Sequence, residues 1–172
     1  MFILSIANMS PSNRGMRTQA FIREVIERYN ALGRSCIQEV DVPKTIGKNG
    51  AFYREKSTVD FVGIAYNRPV AFEVKSTRQR TRFDLSLVKE HQYRYLKSFH
   101  EQGGVAFILL EMIKHAEWFV IPFQKLKPAM ERAWSGGKKS IPYFDLKAEM
   151  ITVKEGGRTG LDFLEFIRSK KV

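Results

Sequence analysis

The spacing of apolar residues along this chain predicts both helices and strands. Apolar residues recur every three or four positions, as in amphipathic helices, at about 15–32, from Asp84 or Ser86 to Gly103, at 123–134 and at about 161–169. Short apolar or β-rich runs predict strands at 35–42, in two parts within 57–75, at 105–110 and at 118–121. Helices and strands in this order predict an α/β domain with a mixed central sheet flanked by helices.

The segment 57–75 predicts a β-hairpin with turn residues at 66–69. Because Pro69 has no amide hydrogen to donate, we expect a four-residue loop in which Ala65 pairs with Val70. Side chains alternate along a strand, so this register places Asp60, Glu73 and Lys75 on one face of the hairpin. That face is either an ordinary solvated surface or, with two carboxylates about 7 Å apart, a site for one divalent cation.

A glutamine interrupts the apolar stripe of each of the first two predicted helices. Gln19 and Gln92 both fall among residues that are expected to face the sheet. A buried amide must find hydrogen-bond partners, which are either backbone groups or the carboxylates of the hairpin. The pattern leaves both interpretations open, and only the second makes the glutamines part of a polar site.

Composition and charge narrow the class of protein. A chain of 172 residues is expected to form a single domain over 1–172, and its net charge of +11 with a pI near 9.9 indicates a polyanionic partner, either nucleic acid or a membrane surface. No apolar run reaches the roughly 20 residues of a membrane span. The single cysteine, Cys36, is expected to be a buried, small apolar residue of a cytoplasmic protein.

Positive charge is concentrated in three segments, 43–56, 75–82 and 138–139. Cations interleaved with aromatic residues can hold a phosphate backbone while the rings stack on bases. The alternative for 43–56 is an ordinary loop whose aromatic residues fold back onto the core, and the alternative for 75–82 is a solvated loop. On the first interpretation we expect DNA contacts from Lys44, Lys48, Phe52, Tyr53, Arg54, Lys56, Arg78, Arg80, Arg82, Lys138 and Lys139. Outside these segments we also expect a DNA contact from Arg14.

Several motifs together carry a family resemblance. The D-x12-E-x-K arrangement on a hairpin after an N-terminal helix resembles the PD-(D/E)xK nuclease superfamily. A more specific resemblance, to RecU-type Holliday junction resolvases, extends over about 13–143. It rests on N-R-G-M, A-F-Y-R-E-K-S-T-V-D, F-E-V-K-S, K-E-H-Q, I-P-F-Q-K-L and G-G-K-K-S-I-P-Y.

The resemblance implies a restriction-endonuclease-like fold, with 43–56 as a protruding basic stalk that enters the junction. It implies Asp60, Glu73 and the Val74 carbonyl as ligands of Mg²⁺ or Mn²⁺, Lys75 as the catalytic lysine, and Gln92 as a further catalytic-site residue, with Thr58 and Gln19 as accessory residues. It also implies a homodimer that binds four-way DNA junctions in the cytoplasm of a bacterial or phage-infected cell, with no membrane association and no small-molecule cofactor.

The chain departs from the RecU-type pattern at three places. Gln19 stands where relatives have an acidic residue on the first helix, Val59 stands where a hydroxyl residue precedes the aspartate, and the stalk is shorter. The expected function is a structure-selective, metal-dependent endonuclease that resolves Holliday junctions by paired cuts in recombination and repair. The alternatives are a nuclease of the same superfamily that cuts ordinary duplex DNA, and a non-catalytic DNA-binding protein.

Overall fold

A computed structural model describes residues 11–40, 44–47, 50–53 and 58–168, with side chains described in 15–40 and 58–168. The helices are α1 Pro11–Ala31, α2 Glu90–Glu101, α3 Phe123–Trp134, α4 Tyr143–Glu149 and α5 Glu165–Arg168, with a short 3-10 helix at Leu85–Leu87. The strands are β1 Ser35–Glu39, β2 Lys44–Gly47, β3 Gly50–Tyr53, β4 Phe61–Ala65, β5 Arg68–Thr77, β6 Arg82–Asp84, β7 Val105–Met112, β8 Glu117–Pro122, β9 Ser140–Pro142, β10 Ile151–Val153, β11 Glu155–Gly156 and β12 Gly160–Leu161.

The main sheet has six strands in the order β1-β4-β5-β7-β8-β10. Strands β5 and β7 run parallel and the other neighbours run antiparallel, so the sheet is mixed. One face of the sheet packs against α1 and the segment 161–167, and the other packs against α2, α3 and α4. The predicted α/β class, with a mixed central sheet flanked by helices, is confirmed. Among the described helices, none is long and apolar enough to cross a membrane.

Most of the predicted elements are observed, including the first helix and first strand as α1 and β1, but the start of the second helix and the extent of the last one differ. The apolar runs at 105–110 and 118–121 are β7 and β8, and the helix expected at 123–134 is α3. The second helix begins at Glu90 rather than at Asp84 or Ser86, because residues 82–84 pair with β9 instead. The final helix is reduced to α5, because Leu161 belongs to β12.

The central hairpin closes more tightly than expected. Ala65 pairs with Arg68, and Tyr66 and Asn67 have φ values of 49° and 62°, which are the left-handed values of a two-residue type I′ turn. The expected four-residue loop is therefore wrong. The residue that closes the turn is Arg68, so the missing amide of Pro69 is not needed there. The register moves by two residues, and an even shift keeps the same side chains on the same face.

The expectation that Cys36 is buried is also wrong. Cys36 lies on β1, which is an edge of the main sheet, and its side chain is exposed. Its partner across the β1–β4 pair is Ile64, which is 52% exposed. The neighbouring Ile37 is buried against α1, since successive side chains of a strand point to opposite faces. At the β1 edge, the face of the sheet that does not pack against α1 is therefore open to solvent.

Gly63 is required by the close approach of β1 to β4. A Cβ atom at this position would lie 2.1 Å from the Cys36 carbonyl oxygen and 2.6 Å from the Ile37 Cα. Both atoms belong to the backbone and cannot turn away, so we expect Gly63→Ala to lower the free energy of unfolding by about 3 kcal/mol. Urea denaturation measures this loss. As a matched control, a Cβ atom added by Gly15→Ala on α1 meets no described atom within 4 Å, and this substitution is expected to stabilise by about 0.5–1 kcal/mol. Equal curves for the two variants would contradict the prediction.

Candidate active site

The candidate active site is an open cleft of about 850 Å³ at the end of β5. Its walls come from the first turns of α1, from the residues that end β5 and from the segment that leads into α2. Asp60, Glu73 and Lys75 all line this cleft, as the strand alternation predicted. The predicted convergence of these three residues is therefore observed, although the register that produces it differs.

Asp60 lies immediately before β4 and is held by backbone contacts on both sides. Its carbonyl oxygen accepts a hydrogen bond from the Val40 amide at 2.8 Å, and its Oδ2 accepts one from the Val74 amide at 2.8 Å. Its Oδ1 accepts a hydrogen bond from Gln19 Nε2 at 3.3 Å. The carboxylate is thus attached to β5 and to α1 at the same time.

Glu73 lies in the middle of β5 and is only 3% exposed. Its Oε1 accepts hydrogen bonds from Lys75 Nζ, at 2.6 Å, and from Gln92 Nε2. Its Oε2 is buried and has no hydrogen-bond partner among the described atoms. A buried carboxylate oxygen that receives no hydrogen bond is costly, so this atom calls for a cation, a water or a proton shared with the neighbouring Asp60 carboxylate.

The pKa values of the two carboxyl groups reflect this crowding. Burial raises the pKa of Glu73 to about 7, and the nearby charge of Asp60 adds to this shift, while the Lys75 ammonium opposes it. Burial also raises the pKa of Asp60, against the lowering effect of the Val74 amide and of Lys75. The Glu39 carboxylate contributes to raising the pKa of Asp60. Without a cation, the site therefore disfavours two ionised carboxylates.

Gln92 reaches the site from α2 and serves two purposes. Its Oε1 accepts a hydrogen bond from the Lys89 amide at 3.0 Å and thereby caps the helix, while its Nε2 donates to Glu73. Of the two interpretations of the stripe glutamines, both are observed for Gln92, which contacts a backbone amide and a carboxylate, while the contacts of Gln19 are with carboxylates. Glu39 is a site neighbour that the sequence analysis missed. Glu39 could have been found from its position two residues after the core residue Ile37. Because side chains alternate along a strand, this position puts Glu39 on the same face of β1 as Ile37, toward α1.

The predicted DNA-contacting residues fall into two groups. Arg78 lines the cleft, while Arg80, Arg82, Lys138 and Lys139 are exposed. Pairing of β6 with β9, together with the hydrogen bond from the Leu85 amide to the Lys139 carbonyl, brings the two basic segments together. The accessory residue Thr58 is exposed.

The segment 43–56 contains an antiparallel hairpin of β2 and β3, whose side chains are not among those described. Predictions for the following residues lie outside the described side chains and stay predictions: Arg14, Lys44, Lys48, Phe52, Tyr53, Arg54 and Lys56.

The donor atoms of this site suit a hard cation. In the described ranges, no group of three or more His, Cys, Asp or Glu side chains is arranged to hold a metal ion. Mg²⁺ does not need such a group, because it commonly binds through one or two carboxylates and keeps several of its waters. Asp60, Glu73 and the Val74 carbonyl provide donors of that kind at this cleft, and the buried Glu73 Oε2 accepts no hydrogen bond from the described atoms. The residues therefore fit Mg²⁺ or Mn²⁺.

Comparison with known proteins finds one family and many relatives. The family described as RecU, Recombination protein U, matches residues 13–169. A protein of Listeria innocua named Holliday junction resolvase RecU is 31% identical over 165 residues, which cover 90% of this chain and 82% of the relative. Proteins of the same name from Listeria welshimeri and Oenococcus oeni are 28% and 25% identical over 172 residues, and these matches cover 86% and 87% of the relatives. The solved structure of Hjc, a Holliday junction resolvase of Archaeoglobus fulgidus, matches 80% of this chain with 18% identity and a TM-score of 0.49.

Proposed function

The chain belongs to the RecU family, and we propose that it is a structure-selective, divalent-metal-dependent endonuclease that resolves four-way DNA junctions during recombination and repair. The observation that carries the metal-dependent part is the buried Glu73 Oε2. It has no hydrogen-bond partner among the described atoms, in a cleft that also holds Asp60 and Lys75. A nuclease site of this kind needs a carboxylate pair that holds the metal ion, beside a surface of basic side chains that binds DNA. The net charge of +11 is consistent with such a surface.

Asp60, Glu73 and the Val74 carbonyl are the proposed ligands of Mg²⁺ or Mn²⁺. When bound, the cation polarises the scissile phosphate and lowers the pKa of a water molecule. Neighbouring groups of the chain orient the two carboxylates for metal binding. The Val74 amide and Gln19 each hold one oxygen of Asp60, and Gln92 and Lys75 hold Oε1 of Glu73, so that Oε2 stays available.

Lys75 is proposed to stabilise negative charge during the reaction. It lies two residues after Glu73 on the same strand, and its ammonium donates to Glu73 Oε1 at 2.6 Å. The two remaining hydrogens of the ammonium can donate to a phosphate oxygen or to the attacking hydroxide. Asp60, Glu73, Lys75 and Gln92 are accordingly the proposed catalytic residues, while Thr58 and Gln19 are accessory.

The DNA is proposed to lie along the basic segments. Arg78, Arg80 and Arg82 follow directly from the catalytic strand, and Lys138 and Lys139 lie beside them. Contacts of this kind bind the phosphate backbone and recognise shape rather than bases, so affinity should fall steeply with salt. The hairpin of β2 and β3, within the predicted stalk 43–56, is proposed to enter the junction centre.

Resolution of a junction needs two cuts in opposed strands. A two-fold symmetric homodimer presents two identical sites, which is the simplest arrangement for symmetric cutting. We therefore propose that the active species is a homodimer.

Incubation of an end-labelled four-way junction with and without Mg²⁺ tests the function. We expect paired, symmetric cuts that are absent in the presence of a chelator, and that persist under an excess of unlabelled linear duplex with the same arm sequences. Loss of cutting under this competition would indicate a nuclease for ordinary duplex DNA. Tight junction binding with no metal-dependent cut would indicate a non-catalytic binding protein.

A further inference from the structure

Gln19 bridges two carboxylates of different strands. Its Nε2 lies 2.9 Å from Glu39 Oε1 and 3.3 Å from Asp60 Oδ1. An amide nitrogen carries two hydrogens, and this geometry uses one for each carboxylate. Glu39, on β1, is thereby connected through a single amide group to the aspartate of the candidate active site.

Glu39 is itself held in place from α1. Arg23 donates to both of its oxygens, at 2.6 and 3.0 Å, in a bidentate pair. Gln19 and Arg23 are four residues apart and therefore lie on the same face of the helix. Although the Arg23 side chain is 50% exposed, that of Glu39 is only 22% exposed. A fixed, partly buried carboxylate is a better hydrogen-bond acceptor for positioning a neighbour than a mobile surface one.

These contacts decide how the Asp60 carboxylate is oriented. The Val74 amide holds its Oδ2 from β5, and Gln19 holds its Oδ1 from α1. The second contact depends on Glu39, because Glu39 and Arg23 keep the Gln19 amide turned with its nitrogen toward Asp60. Groups that hold a coordinating carboxylate in this way tune how well it binds a metal ion.

We propose that Glu39 is a positioning residue of this site, a third carboxylate that comes from β1 and acts on Asp60 through the amide of Gln19. This inference rests on the proposed function, since it concerns the same cation site. It accounts for an amide rather than a carboxylate at position 19. With Glu39 already in contact, a carboxylate at position 19 would face two others, whereas an amide donates to both.

Mn²⁺ binding to the full-length protein, followed by the electron paramagnetic resonance signal of free Mn²⁺, tests the inference. We expect Glu39→Gln and Gln19→Ala each to weaken Mn²⁺ binding about tenfold or more. The double variant should be no weaker than Gln19→Ala, because Glu39 acts through Gln19. Junction affinity in chelator should stay at the wild-type value. As a matched control, Glu149→Gln removes the acid of the surface pair with Lys125 and should leave Mn²⁺ binding unchanged.

The outcomes separate the inference from the function on which it rests. Binding that is lost in Asp60→Asn but kept in Glu39→Gln would leave the proposed function standing and overturn the inference. Losses that multiply in the double variant would also overturn it. A wild-type chain that binds no Mn²⁺, or whose binding survives Asp60→Asn, would overturn the proposed metal-dependent function and the inference with it.

Unfolding in metal-free buffer supplies a second, independent readout. Gln19→Glu is expected to lower the melting temperature by several degrees, because it adds a third carboxylate to the contact. In the Glu39→Gln background the same change should lower it by clearly less. Equal shifts in the two backgrounds would show that residue 39 does not interact with residue 19, and would overturn the inference without any reference to metal or activity.

Discussion

The Asp60→Asn variant is expected to lose at least about 10³-fold of its cleavage of a four-way junction in Mg²⁺, while it binds the junction within about twofold of the wild-type affinity. The substitution changes charge and almost nothing in size. The asparagine oxygen can still accept the hydrogen bond of the Val74 amide, so the contact between this position and β5 survives. The negative charge that a divalent cation requires is lost.

Single-turnover cleavage and a binding assay in chelator, run on the same preparation, check this prediction. Asp145→Asn is a matched control, because Asp145 is a carboxylate in the first turn of α4 that does not line the cleft. The control should cut at the wild-type rate. Cleavage by Asp60→Asn at a rate near that of the control would remove Asp60 from the proposed metal site.

The second large effect is expected for a substitution at Glu73, which should remove activity but increase stability. We expect Glu73→Gln to abolish cleavage and yet to stabilise the metal-free protein by about 1–3 kcal/mol near pH 8. The Glu73 carboxylate is buried beside Asp60, and its Oε2 has no hydrogen-bond partner among the described atoms. A glutamine keeps an acceptor for Gln92 and Lys75, removes a buried charge and provides an N–H group that can donate toward Asp60.

The stability difference should depend on pH in a defined direction. Burial raises the pKa of Glu73 to about 7 in the folded protein, above the ordinary value near 4.5 that the unfolded chain has. A carboxyl group with a raised pKa binds its proton more tightly in the folded state, so its contribution is fully present below about pH 4.5 and is lost as pH rises from there to about 7. As pH rises from about 4.5 to about 7, the metal-free wild-type protein should therefore lose stability relative to Glu73→Gln.

Urea unfolding in chelator near pH 5 and near pH 8 measures the effect. The free energies of the two proteins should be similar at the lower pH and should diverge at the higher one. Added Mn²⁺ should then stabilise the wild-type protein and not the variant, because a ligand that binds only the folded state raises the free energy of unfolding. Glu149→Gln, an exposed acid paired with Lys125, should show no such divergence. Parallel pH profiles of wild type and Glu73→Gln would contradict the assigned cost of the buried charge.

Periodicity was a sufficient guide where an element is long and its neighbours are close in sequence. The runs that became β7 and β8, and the helix α3, have apolar patterns that only one kind of element can bury. The start of α2 was misplaced because residues 82–84 instead pair with β9, about 58 residues later in the chain, and no local signal records that pairing. The final helix was overextended for a different reason, since Leu161 pairs with Glu155 in the short local hairpin of β11 and β12.

The candidate site was predicted from strand parity, and parity survived an error in the turn. A two-residue turn and a four-residue loop differ by two residues in register, which leaves Asp60, Glu73 and Lys75 on the same face. The roles of these residues in metal binding and catalysis stay predictions that the variants above test. The burial of Cys36 was wrongly expected from residue type alone, because the sheet edge where it lies is a property of the assembled strands.

The sequence by itself determined which residues can carry the chemistry, because alternation along β5 and the stripes of α1 and α2 are local properties of the chain. Only the tertiary structure decided which of these groups touch. The contact of Gln92 with Glu73, and the approach of Gln19 to both Asp60 and Glu39, depend on how two helices pack onto opposite faces of one sheet. Those distances follow from packing between segments remote in sequence. Only once they are fixed does it become visible that the buried Oε2 of Glu73 accepts no hydrogen bond from the described part of the chain.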